Sequence, residues 1–437
     1  MATAPFTPLA RIQAMLDVEV ALAEALAEVG VIPVSSVPPI RAAARAEQYD
    51  INLLTEEAVE AGNILIPLVR QLTRRVASID ALASGHVHWA ATSQDVMDTA
   101  LLLQLRAAVA DIARSVARAA DGAAKLADRH AATPIAGRTW LQQATPTTFG
   151  ARAATWLDAL ARARLRLKMS MDAALDLQFG GATGTLSSLG SDGPAVAQSF
   201  ATRLQLRVAD IPWHTERTRV VGVACALGIT CGSLGKIGRD IALLAQTEVG
   251  EVSEPASSGR GGSSSMPHKR NPVASATAAA AAVQAPGLVA TMLSAMPQEH
   301  ERGLGGWQAE WDTLPALVNL TSRSAQAMAG VLPHLVVDEA RMRNNLDAAG
   351  GVARAEGLVA ALAPHLGRRD AMALVERVCQ RVTTEGMSLH EAATAEPQVR
   401  EYLHPDQIAS ALDPARFQGS TRAFIDRVLQ RWQRERE

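Results

Sequence analysis

Leu102, Leu105, Val109, Ile112 and Val116 step along the chain by three and four residues, with Arg106, Asp111, Arg114 and Arg118 between them. That spacing sets the apolar side chains on one face of a helix, because about 3.6 residues complete a turn. The seam is coiled-coil-like and predicts one long helix from about Asp95 to about His130. The same pattern predicts helices over Thr155 to Leu177, Pro194 to Arg207, Arg217 to Ser253, Pro272 to Met296 and Leu314 to Leu335. Alternating runs of the β type are nearly absent, so the expected fold class is all-α. Helices this long need apolar partners along their whole length, which points to a bundle completed by other subunits.

Two interruptions divide the pattern. "SGHVHWAATSQD" breaks it ahead of the long helix, and Gly350-Gly351 precede shorter helices joined by Pro-containing turns. At 437 residues the chain exceeds what one small core serves. The expected organisation is an N-terminal helical domain at 1–94, a central long-helix bundle at 95–349 and a small helical domain at 350–437.

Composition adds exclusions. Aromatics are 3% and Ala is abundant, which favours helices packed closely through small residues. The balance of 42 basic against 44 acidic residues speaks against nucleic acid or a membrane surface as partner. Val273 to Met296 approaches membrane-spanning length, but it is mostly Ala, contains Gln284 and is broken by Pro286-Gly287. It is expected to be a buried bundle helix. Cys225, Cys231 and Cys379 lack C-x-x-C spacing and fit small core residues better than reactive thiols or metal ligands. With no disulfide framework and no signal-peptide pattern in "MATAPFTPLARIQAMLDVEV", a cytoplasmic location is expected.

Three stretches are too polar for core. In "HVHWAATSQDVMDT", His86 to Thr99, Ser93 and Asp95 read as an N-cap and a first-turn acid. The same geometry also makes an anion site, since free backbone N–H groups and hydroxyls converge there. "GRTWLQQATPTTFG", Gly137 to Gly150, concentrates donors in Arg138, Thr139, Gln142, Gln143, Thr145, Thr147 and Thr148, although polar loops are common. "GRGGSSSMPHKRNP", starting at Gly259, joins flexible glycines to serines, a cation and an amide. It lacks the G-x-x-x-x-G-K-[ST] pattern of a phosphate loop. His268 beside Lys269 is as consistent with a solvated side chain as with catalysis.

In this chain order the three stretches resemble the signature regions of the fumarase/aspartase superfamily, which includes adenylosuccinate and argininosuccinate lyases. The similarity runs from "DVEVALAEALAEVGVIP" through "AQTEVGEVSEP" to the C-terminal short helices. It implies three helical domains, a central five-helix element, and a homotetramer with a twenty-helix core. Each active site would then draw one region from each of three subunits. It also implies proton transfer at a carbon α to a carboxylate, with Ser263 as proton carrier and Lys269 and Asn271 stabilising the aci-carboxylate.

Two positions depart from the lyases. Where they carry a histidine paired with a glutamate, this chain has Trp140 and Ala276. An amine or hydroxide leaves better with a general acid, whereas a carboxylate is already a stable anion. "GRTWLQ", "PWHT" at Pro212 to Thr215, "HERGLGGWQAEW" at His300 to Trp311 and "LDPARFQGS" resemble one branch, the 3-carboxy-cis,cis-muconate cycloisomerases. That branch implies intramolecular lactonisation of a polycarboxylate, with no cofactor and no metal. The substrate-binding candidates are Thr92, Ser93, Thr139, Trp140, Gln143, Thr145 and Asn271, with His88, Arg138, Arg217 and Arg302 as further ones. The alternatives are a lyase releasing fumarate from an amino-linked succinyl compound, and a catalytically silent scaffold of the same fold.

Overall fold

The structure, a computed structural model, describes residues 5–255, 261–262 and 265–436. Its longest element is the helix Ser93–Arg129, 37 residues and so about 55 Å from end to end. Phe149–Ala174, Gly193–Leu204, Thr218–Leu244, Val273–Ser294 and Gly306–Val331 are the other long helices at expected places. The all-α class holds.

Some helix ends differ from expectation. The helix expected to reach Ser253 stops at Leu244, because Gly250 turns the chain with φ 60° and Val252–Ser253 then pairs with Val336–Val337. The helix expected to begin at Leu314 begins at Gly306, with Pro315 inside it. A larger difference concerns the second polar stretch, which is not a loop. Pro134–Thr139 and Gln142–Thr148 form an antiparallel hairpin. Its register comes from the two-residue turn rather than from apolar alternation, so hydrophobic periodicity carries no sign of it.

The chain divides into two compact units, neither continuous in sequence. One comprises Met1–Arg114, Leu165–Cys231 and Val283–Ser322; the other Ser115–Arg164, Gly232–Ala282 and Arg323–Glu437. In the first, Leu16, Leu22, Leu26, Leu68, Leu72 and Phe200 belong to one buried apolar cluster. In the second, Leu358, Leu362, Leu374, Val378 and Ile408 form another among the C-terminal helices.

Small residues permit close helix approach, as the composition suggests. A Cβ on Gly235 would lie 2.2 Å from the Ala282 methyl, and one on Gly238 would lie 2.7 Å from the Ser275 carbonyl oxygen. Within the single chain, Val273–Ser294 is buried along one face. Ala274, Ala278, Ala281, Ala285 and Met292 are covered, while Ala276, Ala280, Val283, Gly287 and Ala290 are exposed. It and Thr218–Leu244 are long and apolar enough to span a membrane.

Candidate active site

In the first unit the site is built on two turns of one helix. Asp95 caps its own helix, its Oδ2 accepting from the Thr92 N–H at 3.0 Å. Capping is the smaller part of its role. The carboxylate is fully buried and also accepts from the N–H groups of Gly180 at 3.0 Å and Gly181 at 2.8 Å. His214 Nε2 stands 2.7 Å from Oδ1. One turn on, Asp98 accepts from Arg217 Nη1 at 2.6 Å and Nη2 at 3.1 Å, and from Trp307 Nε1 at 3.2 Å. Arg217 reaches Glu310 as well, at 2.9 and 2.5 Å. Burial works against the Arg217 charge, but Asp98 and Glu310 outweigh it and hold the guanidinium above its ordinary pKa. Thus Asp95 and Asp98, three apart, face His214 and Arg217, also three apart.

Gln94 ties this ladder to a second arginine. Its amide donates to the His214 carbonyl at 2.8 Å and to Asp98 at 3.0 Å, and its Oε1 accepts from Arg302 Nη1 at 3.0 Å. Arg302 Nη2 donates to the Ala182 carbonyl at 2.8 Å. Both acceptors are neutral, and among the described residues no carboxylate lies within ion-pair distance of Arg302. Its charge is therefore uncompensated locally and suited to an anionic ligand. His88 and Ala90 enter this region with φ 58° and 66°, and Leu186 and His300 with 47° and 48°. Each such conformation costs about 1–3 kcal/mol outside glycine, a pattern that collects at functional sites.

In the second unit the hairpin is anchored at its base and bare at its tip. Arg138 forks onto Glu251 at 2.9 and 2.6 Å; Glu251 is fully buried and accepts from Asn345 Nδ2 at 2.8 Å. Gln143 Nε2 donates to the Asn345 carbonyl at 3.0 Å. Trp140 and Leu141 form the two-residue turn with φ 52° and 64°, and they are 98% and 73% exposed. Thr139 is exposed and Thr145 half-buried on the adjoining strands.

Ser263 lies outside the described residues. Beyond it, the Asn271 N–H donates to the Gly261 carbonyl at 2.7 Å, and Gly262 bridges Arg270. Glu254 accepts from the N–H groups of Ala274 and Ser275, capping the next helix from before the stretch. Lys269 and Asn271 are exposed.

The sequence-derived candidates therefore fall into separate groups: His88, Thr92, Ser93 and Arg302 in the first unit, and Thr139, Trp140, Gln143, Thr145, Lys269 and Asn271 in the second. Arg138 and Arg217 are paired with buried carboxylates, Glu251 for the first and Asp98 and Glu310 for the second. Gln94, Asp98, His214 and Glu310 were not singled out from the sequence. The paired spacings Asp-x-x-Asp and His-x-x-Arg are the signal that could have found two of them, Asp98 and His214.

Comparison with known proteins identifies the scaffold. A family model described as "Lyase" matches residues 3–287, and one described as "Adenylosuccinate lyase C-terminus" matches 351–428. A 3-carboxy-cis,cis-muconate cycloisomerase of Pseudomonas aeruginosa is 51% identical over 98% of this chain and 93% of its own. Another from Bradyrhizobium diazoefficiens is 48% identical over 97% and 94%. The crystal structure of the 3-carboxy-cis,cis-muconate lactonizing enzyme from Pseudomonas putida superposes with TM-score 0.94 at 45% identity, covering 99% of this chain and 97% of that one.

The chain belongs to the 3-carboxy-cis,cis-muconate cycloisomerase family. Family membership makes it an enzyme of the intramolecular lyase type, within the fumarase/aspartase superfamily. The expectation of a silent scaffold and that of a fumarate-releasing lyase both give way to the cycloisomerase reading. The buried ladder ties the loops carrying Thr92, Gly180, Gly181 and Arg302 to one end of the long helix.

Proposed function

We propose that the enzyme closes 3-carboxy-cis,cis-muconate to 4-carboxymuconolactone. A carboxylate oxygen of the substrate forms a C–O bond to the alkene carbon in reach, and the alkene electron pair moves to the carbon α to another carboxylate. Ser263 delivers a proton to that carbon and is reprotonated by solvent. A trianion thus becomes a dianion, with one proton consumed from water and no group expelled.

The observation that carries this reading is the pair Trp140 and Ala276. Both positions where the lyases hold a proton-donating dyad are apolar here, which suits a reaction whose nucleophile, and leaving group in the reverse direction, is a carboxylate. Arg302, with its uncompensated charge, and the exposed Lys269 and Asn271 suit a substrate rich in carboxylates. Folding a trianion for attack and absorbing charge on the acceptor carboxylate are the main demands on the protein.

The same reading places the enzyme in the cytoplasm as a homotetramer, with each site drawing on three subunits. The exposed small-residue face of Val273–Ser294 and the bare hairpin tip support this, since both offer apolar surface for other copies to cover. The deciding experiment follows the loss of muconate ultraviolet absorbance beside fumarate release from adenylosuccinate. Rapid fumarate release without lactonisation would overturn the proposal.

A further inference from the structure

Glu19 lies on the helix Pro8–Val29, whose other inward positions include the fully buried Leu16, Val18, Leu22 and Leu26. Its side chain is 1% exposed, and among the described residues its one partner is His88, 69 positions on. A carboxylate withdrawn from water with a single partner costs several kcal/mol that an apolar side chain would not. Stability alone does not account for it.

The geometry of His88 does. Nδ1 stands 2.6 Å from Glu19 Oε1, and the histidine side chain remains 19% exposed. With Nδ1 taken by the carboxylate, Nε2 on the opposite edge of the ring is the nitrogen left for a ligand. No described residue engages it. The backbone at His88 is held at φ 58°, so a side chain of this size keeps its place at a conformational cost.

We propose that Glu19 is a positioning residue: it locks the His88 ring and keeps it protonated, so that Nε2–H donates a charged hydrogen bond to a carboxylate of the substrate. The inference rests on the tricarboxylate reading above and adds one subsite to it. The charged groups facing the ring are Glu19 from the first helix and Asp95 from the long helix, and Asp95 is itself paired with His214. Burial opposes charge on His88, but these two carboxylates raise its pKa above the ordinary histidine value.

Two measurements on the full-length enzyme test it. In the wild type, NMR titration of labelled histidines, with His88→Gln identifying the resonance, should give a midpoint above about 6.5. A midpoint at or below that value overturns the proposal, whether or not any variant folds. Glu19→Gln should raise KM for 3-carboxymuconate by about tenfold with little change in kcat, the loss expected for a weakened charged hydrogen bond. It should also move the alkaline limb of kcat/KM to lower pH, which a purely structural role would not. Unchanged KM and an unmoved limb overturn the positioning role. Failure of the wild type to lactonise would instead count against the substrate reading, and the NMR midpoint would still decide the state of His88.

Discussion

Asp95 and His214 meet at 2.7 Å with neither reaching solvent, although 119 positions separate them in sequence. The carboxylate also gathers N–H groups from Thr92, Gly180 and Gly181, so one side chain joins three loops. Asp95→Asn keeps the shape but turns one acceptor into a donor facing donors. It should cost about 2–4 kcal/mol of stability and most of the turnover. Urea unfolding alongside the lactonisation assay checks both, and wild-type values for either would remove Asp95 from this role.

The Asp98–Arg217–Glu310 triad makes a contrasting prediction. Arg217→Met leaves two buried carboxylates together and should cost about 3–5 kcal/mol. Arg217→Lys should rescue little, because an ammonium lacks the fork that serves both partners. Replacing all three by apolar residues of similar volume should restore most of the stability, since the desolvation cost disappears with the charges. Chemical denaturation of the three variants provides the comparison.

Ser263→Ala should lower kcat by about 100-fold to 10,000-fold, the usual contribution of a positioned proton donor. Oligomeric state by light scattering and thermal stability should stay at wild-type values. Survival of activity would assign the proton to another group.

At the hairpin tip, stability and function should separate. Trp140 and Leu141 occupy left-handed conformations that a type I′ turn reserves for Asn and Gly. The double change Trp140→Asn and Leu141→Gly should relieve about 1 kcal/mol or more of backbone strain and raise the melting temperature. If the tip serves the substrate or a neighbouring copy, activity should fall in the same variant. Calorimetry and turnover read the two effects independently.

His88 predicts a pH dependence of known sign. Its folded pKa is raised, so its stabilising contribution is fully present below the unfolded value of about 6.5 and fades as pH rises through the folded one. The unfolding free energy lost in His88→Gln should be larger at about pH 6 than at about pH 9. A difference that grows with pH would contradict the charged state.

Much of the helical frame was legible because 3.6-residue periodicity reports burial directly, as along Leu102 to Val116. The helix ends at Leu244 and Gly306 were not, since Gly250 and Pro315 are ambiguous signals without their surroundings. The hairpin escaped notice because its strands are polar on most positions. Asp95 was legible only as a cap; its partners Gly180, Gly181 and His214 lie on distant segments, and long-range pairing leaves no local pattern. Glu19 was hidden for the opposite reason, as one acid in an Ala- and Leu-rich helix normally faces water.

Neither compact unit is contiguous, and that shapes how the chain must come off the ribosome. The first unit is not complete until Ser322 has been synthesised, and the second waits for residues of the C-terminal helices. The early leucine-rich helices find their apolar partners no later than Leu206, but Val283–Ser322 follows well after, and apolar surface that waits for it is open to aggregation. Truncation anywhere before residue 322 leaves no finished unit behind.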